Sequence, residues 1–177
     1  MPPGYGPAIK SGPSRPRGAP SRRSYASTGR RLLGSGAVNA VIIYESLTGN
    51  TRKAAHCIAR HLQQADVAGA VCPITDIDYQ ALATADVVIV GTWTDGIFVV
   101  GQRPGRAQRL RRLPVIDHKR CLVYCTYALD PGKTLQKMSK ILEGRGANVL
   151  GGMAIRRTNL KGGSKEFVDR MLEAIPV

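Results

Sequence analysis

The stretch Ala40-Val41-Ile42-Ile43-Tyr44-Glu45-Ser46-Leu47-Thr48-Gly49-Asn50-Thr51 decides the architecture. Its opening, Ala40 to Tyr44, is an apolar run rich in β-branched residues and reads as a buried strand. After the polar segment that follows, Ala54, Ile58 and Leu62 recur at helical spacing with Ala55 and Ala59 beside them, predicting a helix over Asn50–Ala65. Between strand and helix, Ser46 to Thr51 carry three hydroxyls, an amide and a glycine, and no acidic side chain. A helix N-terminus presents unpaired N–H groups and a partial positive charge, and a glycine lets backbone approach a ligand closely. A single serine or threonine there would be a plain helix cap. The density of donors points instead to an anion site. The spacing is neither GxxxxGK[ST] nor GxGxxG.

Strand and helix patterns alternate onward from this unit, which signals a parallel sheet with crossover helices. A second strand is expected near Ala70–Ile74. Its Pro73 cannot donate to a ladder, so it belongs at a sheet edge. A short helical stretch follows at Asp78–Thr84. The third strand, Asp86–Gly91, is almost purely apolar and therefore central. A loop is expected over Thr92–Pro104, then a basic helix over Gly105–Arg112. The fourth strand is Cys121–Cys125. A helix should open with Asp130 as cap and Pro131 in its first turn, and bury Leu135, Met138, Ile141 and Leu142. The fifth strand is Ala147–Leu150, extending toward Ile155, and a last helix spans Ser164–Ala174. The expected fold is α/β: a three-layer, doubly wound, five-stranded parallel sheet in the order 2-1-3-4-5.

Residues 1–38 stand apart. They are rich in Pro, Gly, Ser and Arg, and hold seven of the 26 basic residues and none of the 12 acidic ones. Such a composition buries too little apolar surface to order itself, so a disordered basic tail is expected ahead of one domain over 39–177. A targeting segment, a nucleic-acid arm and an over-extended start remain open readings of it. The remainder carries 19 basic against 12 acidic residues, a net +7 within the total of +14. That balance favours anionic small molecules or acidic proteins. The basic cluster Arg103, Arg106, Arg109, Arg111 and Arg112 reads either as a solvated helix face or as a docking surface for an acidic redox partner or NAD(P)H. No aromatic residues interleave with it, so nucleic acid is not expected. Cys57, Cys72, Cys121 and Cys125 show no metal or redox spacing and read as small hydrophobes in a reducing cytoplasm. His56, His61 and His118 suggest no ligand cluster, and no apolar run is long enough to span a membrane.

The run Ser46-Leu47-Thr48-Gly49-Asn50-Thr51 resembles the phosphate loop T/S-x-T-G-x-T of the flavodoxin family at every defined position. The resemblance covers about residues 39–175. It implies an FMN cofactor with its phosphate at Ser46, Leu47, Thr48, Gly49, Asn50 and Thr51. It also implies that the flavin ring sits between two further loops: Thr92, Trp93, Thr94, Asp95 and Gly96 after the third strand, and Thr126, Tyr127 and Ala128 after the fourth. Trp93, the sole tryptophan, would stack on the ring and Tyr127 would be the second aromatic, with Trp93 as a core residue the other reading. Three departures from the family pattern stand out. Thr94 occupies a position often held by glycine in electron carriers, the loop after the fourth strand is short, and the domain is basic. The resemblance implies electron transfer through FMN. An FMN-dependent NAD(P)H:quinone oxidoreductase and a module that no longer binds flavin are the alternatives. No side chain is singled out as catalytic.

Overall fold

Residues 38–96 and 101–175 are described in a computed structural model; apart from Val38, the tail expected over 1–38 lies outside them. The elements run β1 (Asn39–Tyr44), α1 (Asn50–Gln64), β2 (Ala68–Pro73), α2 (Tyr79–Thr84), β3 (Val87–Asp95), β4 (Arg103–Pro104), α3 (Ala107–Arg111), β5 (Arg120–Tyr127), α4 (Thr134–Glu143), β6 (Asn148–Arg156) and α5 (Leu160–Ala174). The parallel sheet has the order β2-β1-β3-β5-β6, with β4 paired antiparallel to the end of β3. With the two-residue β4 set aside, this is the expected 2-1-3-4-5 order. β2 lies at the edge, and Pro73 pairs in register with Tyr44.

Strands that are apolar on both faces need cover on both faces. Ile42, Ile89 and Tyr124 point to one side, where Ile58 and Leu62 of α1 and Phe167 of α5 close over them. Val41, Val90 and Val123 point to the other and meet Leu82 of α2, Leu110 of α3, and Met138 and Leu142 of α4. Cys72, Cys121 and Cys125 fill this second face as buried free thiols.

Three boundaries differ from the sequence reading. Of the expected loop Thr92–Pro104, Thr92–Asp95 belong to β3 and Arg103–Pro104 to β4, while 97–100 lie outside the described residues. β3 continues to Asp95 because Thr92, Trp93 and Thr94 favour extended backbone and β5 runs beside them, with Trp93 in register with Thr126. The chain then returns as β4, with Thr94 opposite Pro104 and Asp95 opposite Arg103. Asp130 does not cap α4. Its carboxylate accepts from the Gly132 N–H at 3.1 Å, Gly132 turns left-handed at φ 47°, and the helix starts at Thr134. A positive φ ends any helix a proline would begin. Helix α5 begins at Leu160, a turn before the expected Ser164, with Gly163 packed against Ile155 of β6.

Tyr124 is fully buried and crosses beneath Gly91, its partner in register. A β-carbon on Gly91 would collide with the phenol ring, and the ring is anchored because its hydroxyl donates to the Thr51 carbonyl at 3.0 Å. Gly91→Ala should therefore destabilise the protein by about 2–3 kcal/mol, the upper range for overpacking. Gly69→Ala, whose added carbon would meet Leu62 at an ordinary 3.5 Å, should stay within about 0.5 kcal/mol of the parent. Urea unfolding of both variants checks this, and equal midpoints would show that Tyr124 can move aside.

Candidate functional site

The end of β1 feeds the first part of the site. The Glu45 N–H donates to Gly91 O at 2.8 Å, and the chain then leaves the sheet. Ser46 Oγ accepts from the N–H groups of Gly49 and Arg52 at 3.2 and 3.4 Å and draws the loop into a ring. Gly49 sits at φ 88° as the N-cap of α1, a conformation other residues resist, and as a glycine it offers the helix no capping side chain. The first turn holds no acidic residue. The backbone N–H groups of Asn50 and Thr51 have no acceptor among the described residues. Thr48 and Leu47 are exposed at the loop tip, and Asn50 Nδ2 donates to Thr48 Oγ1 at 3.4 Å. The result is a run of backbone and side-chain donors at the positive end of a 15-residue helix.

Thr51 faces inward. It is buried, and its hydroxyl shares a 2.9 Å hydrogen bond with that of Thr126. Each hydroxyl has one hydrogen, so the pair keeps one to donate elsewhere. This bond ties the loop after β1 to the end of β5.

β3 carries the rest of the site along one edge. Two residues beyond Gly91, the Trp93 carbonyl accepts from the Gly105 N–H at 2.8 Å. The return of the hairpin therefore lies where β1 would run if it continued, and the start of α3 meets Glu45. Glu45 is 4% exposed, and its two oxygens accept from Arg106 Nη1 at 2.9 Å and Arg109 Nη1 at 2.8 Å. The Arg106 guanidinium carbon also lies 5.8 Å from the centre of the Trp93 ring, and Gly105 packs against the indole. Arg106 adopts a left-handed φ of 48°, a strained conformation over-determined by these contacts.

The other residues expected in the ring loops lie around this hairpin. Thr92 is buried and donates to Gly105 O at 2.9 Å, and Thr94 donates to Cys125 Sγ at 3.6 Å. Asp95 pairs with Arg103 at 3.5 Å, and Gly96 turns at φ 101°. Tyr127 ends β5, and Ala128 follows, partly buried. Strand alternation puts Trp93 on the face of Thr126 and Tyr127 on the opposite one, so the two aromatics do not face each other by register. Gln102 donates to Asp130 at 2.9 Å, and Lys137 donates to Gln102 O at 2.6 Å, bracing the hairpin against the loop after β5.

Sequence reasoning passed over Glu45 and treated Arg106 and Arg109 as part of a surface cluster. The available signal was a lone carboxylate directly after an apolar strand, with two arginines three apart on a helix. Among the described residues, no group of three or more His, Cys, Asp and Glu side chains could hold a metal ion. Burial pushes the Cys121 thiol up to about 12 and that of Cys125 up to about 11, so neither is a ready nucleophile. Among the described residues, no helix is long and apolar enough to cross a membrane.

A family model described as a flavodoxin domain matches residues 41–156. No curated protein matches in sequence. Among solved structures, the oxidised flavodoxin of Bacillus cereus is 20% identical, covers 77% of this chain and 96% of its own, and superposes with a TM-score of 0.58. The two-electron-reduced flavodoxin of Megasphaera elsdenii is 18% identical, with 73% and 98% covered and a TM-score of 0.54. The flavodiiron core of Synechocystis is also 18% identical, and the match spans 78% of this chain but 37% of that one, with a TM-score of 0.53. At these identities the likeness is one of fold.

Two outcomes follow from the site geometry. Glu45→Gln removes the charge that holds two half-exposed arginines together, and should cost about 1–2 kcal/mol in urea unfolding. An unchanged midpoint would mean that the arginines gain as much from water. Keeping the Cys121 and Cys125 thiols neutral contributes stability that is full below the ordinary 9.0 and lost as pH rises through about 11 and about 12. Unfolding midpoints should therefore fall above pH 9, and a thiol reagent at neutral pH should label the partly exposed Cys57 well before the other three cysteines.

Proposed function

Since the chain belongs to the flavodoxin family, we propose that it binds FMN at the C-terminal end of its sheet, phosphate in the Ser46–Thr51 cradle, and serves in electron transfer through that flavin. That position lies between β1 and β3, where the crossover helices diverge to opposite faces, the usual ligand position in such sheets. When bound, FMN supplies the redox chemistry, accepting and releasing electrons in its ring.

The observation that carries this reading is the acid-free start of α1, with the amides of Asn50 and Thr51 unclaimed among the described residues and Gly49 in a left-handed conformation. A phosphate dianion fits that donor set. Glu45, one residue before the cradle, would oppose it through like charge, but Arg106 and Arg109 more than cancel the carboxylate. Ser46 shapes the loop through its two accepted bonds, while Thr48 and Asn50 offer side-chain donors at its rim. Thr92, Trp93, Thr94, Asp95 and Gly96, with Thr126, Tyr127 and Ala128, flank the ring side of this reading. There Gly105 and Arg106 hold the indole of Trp93 in place.

The purified protein should carry flavin absorbance, or gain it when FMN is added. Thr48→Asp places a carboxylate at the exposed loop tip beside the phosphate and should weaken FMN by more than about 100-fold, near 2.7 kcal/mol. Flavin fluorescence quenching measures the affinity, and circular dichroism should report an intact fold. Equal FMN affinity in parent and variant would remove the phosphate from this loop.

A further inference from the structure

We propose that the groove between α3 and α4 docks an acidic partner protein, seating its carboxylates on a preformed arginine array. The groove encloses about 1220 Å³. Arg103, Arg106, Arg109, Arg111 and Arg112 line one wall, and Lys137, Lys140 and Arg145 the other. Against these eight cations the lining holds one acid, Asp95, which is already paired with Arg103. Even with Asp95 and the buried Glu45 offsetting two of them, the cations around this one concavity leave a surplus of six, which raises its potential and concentrates anions there.

Two features separate this groove from an ordinary solvated helix face. First, Arg106 and Arg109 are fixed from behind. Each spends one nitrogen on buried Glu45, while their side chains stay 42% and 43% exposed, so their other N–H donors remain available to the groove. Long side chains immobilised in advance lose less entropy on binding. Second, the lining includes no aromatic residue. Nucleic-acid strands and dinucleotides draw much of their affinity from stacking on rings, whereas carboxylates need only the planar forks that arginine provides. Arg106 belongs to the groove and also lies over Trp93, so a protein docked here lies beside the site after β3. That such a partner exchanges electrons rests on the flavin reading; the docking itself does not.

Fluorescence anisotropy with a labelled deca-glutamate peptide tests the proposal on the full chain. The parent should bind, and Arg111→Gln/Arg112→Gln, which leaves the Glu45 clamp intact, should weaken binding about tenfold or more. Arg60→Gln/Lys161→Gln removes the same charge from α1 and α5 on the other side of the sheet and should bind like the parent. Equal losses in the two double variants would reduce the effect to net charge and overturn the proposal. Tighter binding of a single-stranded oligonucleotide of equal charge would overturn it in favour of nucleic acid. FMN affinity should be the same in the Arg111/Arg112 variant as in the parent. A protein that takes up no flavin yet binds the peptide in this pattern would sink the flavin reading and leave the groove standing.

Discussion

A carboxylate buried at the end of a strand is tolerable only if something cancels it, and most of the site geometry follows from how Glu45 is cancelled. Its two arginines come from the cap and first turn of α3, so α3 must lie against the end of β1. That placement goes with β3 running past the end of β1 and folding back through β4, which puts Gly105 against Trp93 and Arg106 in a left-handed turn. A buried ion pair of this kind gives little net stability, because desolvation consumes most of the Coulomb gain. Its effect is to fix position: one carboxylate ties the end of β1, and so the Ser46–Thr51 loop, to the basic helix and, through Arg106, to the tryptophan.

The sheet order was legible because its signals are local and strong. Pro73 marked an edge, the unbroken apolar run Val87–Val90 marked a centre, and alternating strand and helix patterns required parallel crossovers. The hydroxyl-rich loop was legible for the same reason, since six adjacent residues carry it. What stayed hidden depends on partners distant in the chain. Nothing in Thr92–Asp95 shows that β5 will extend far enough to keep those residues in a strand. Nothing near Asp130 shows that Gly132 will press against Gln102 and delay α4. The Glu45 clamp joins residues 61 and 64 positions apart, beyond the reach of any periodicity.

The basic character of the domain also takes on a structural form. Charge that composition reports only as a total gathers in one groove on the α3–α4 side, while the opposite side carries helices such as α5, where Lys165 pairs with Asp169 and Arg170 with Glu166. Exposed i,i+4 pairs are neutral to first order and worth a few tenths of a kcal/mol. Surplus charge thus lines the groove, whereas the charges along α5 balance.

Tyr124 has one more consequence. Burial raises its phenol well above the usual 10.0, so the hydroxyl keeps its hydrogen across the neutral range, and the strut from β5 to the Thr51 carbonyl stays in place there. Its hold on the second residue of α1 is therefore unchanged by pH between acid and mildly alkaline conditions. Through this strut no titration near neutrality reaches the Ser46–Thr51 loop, and any anion held there with a second ionisation near ~6 would bring its own pH response to unchanged backbone donors.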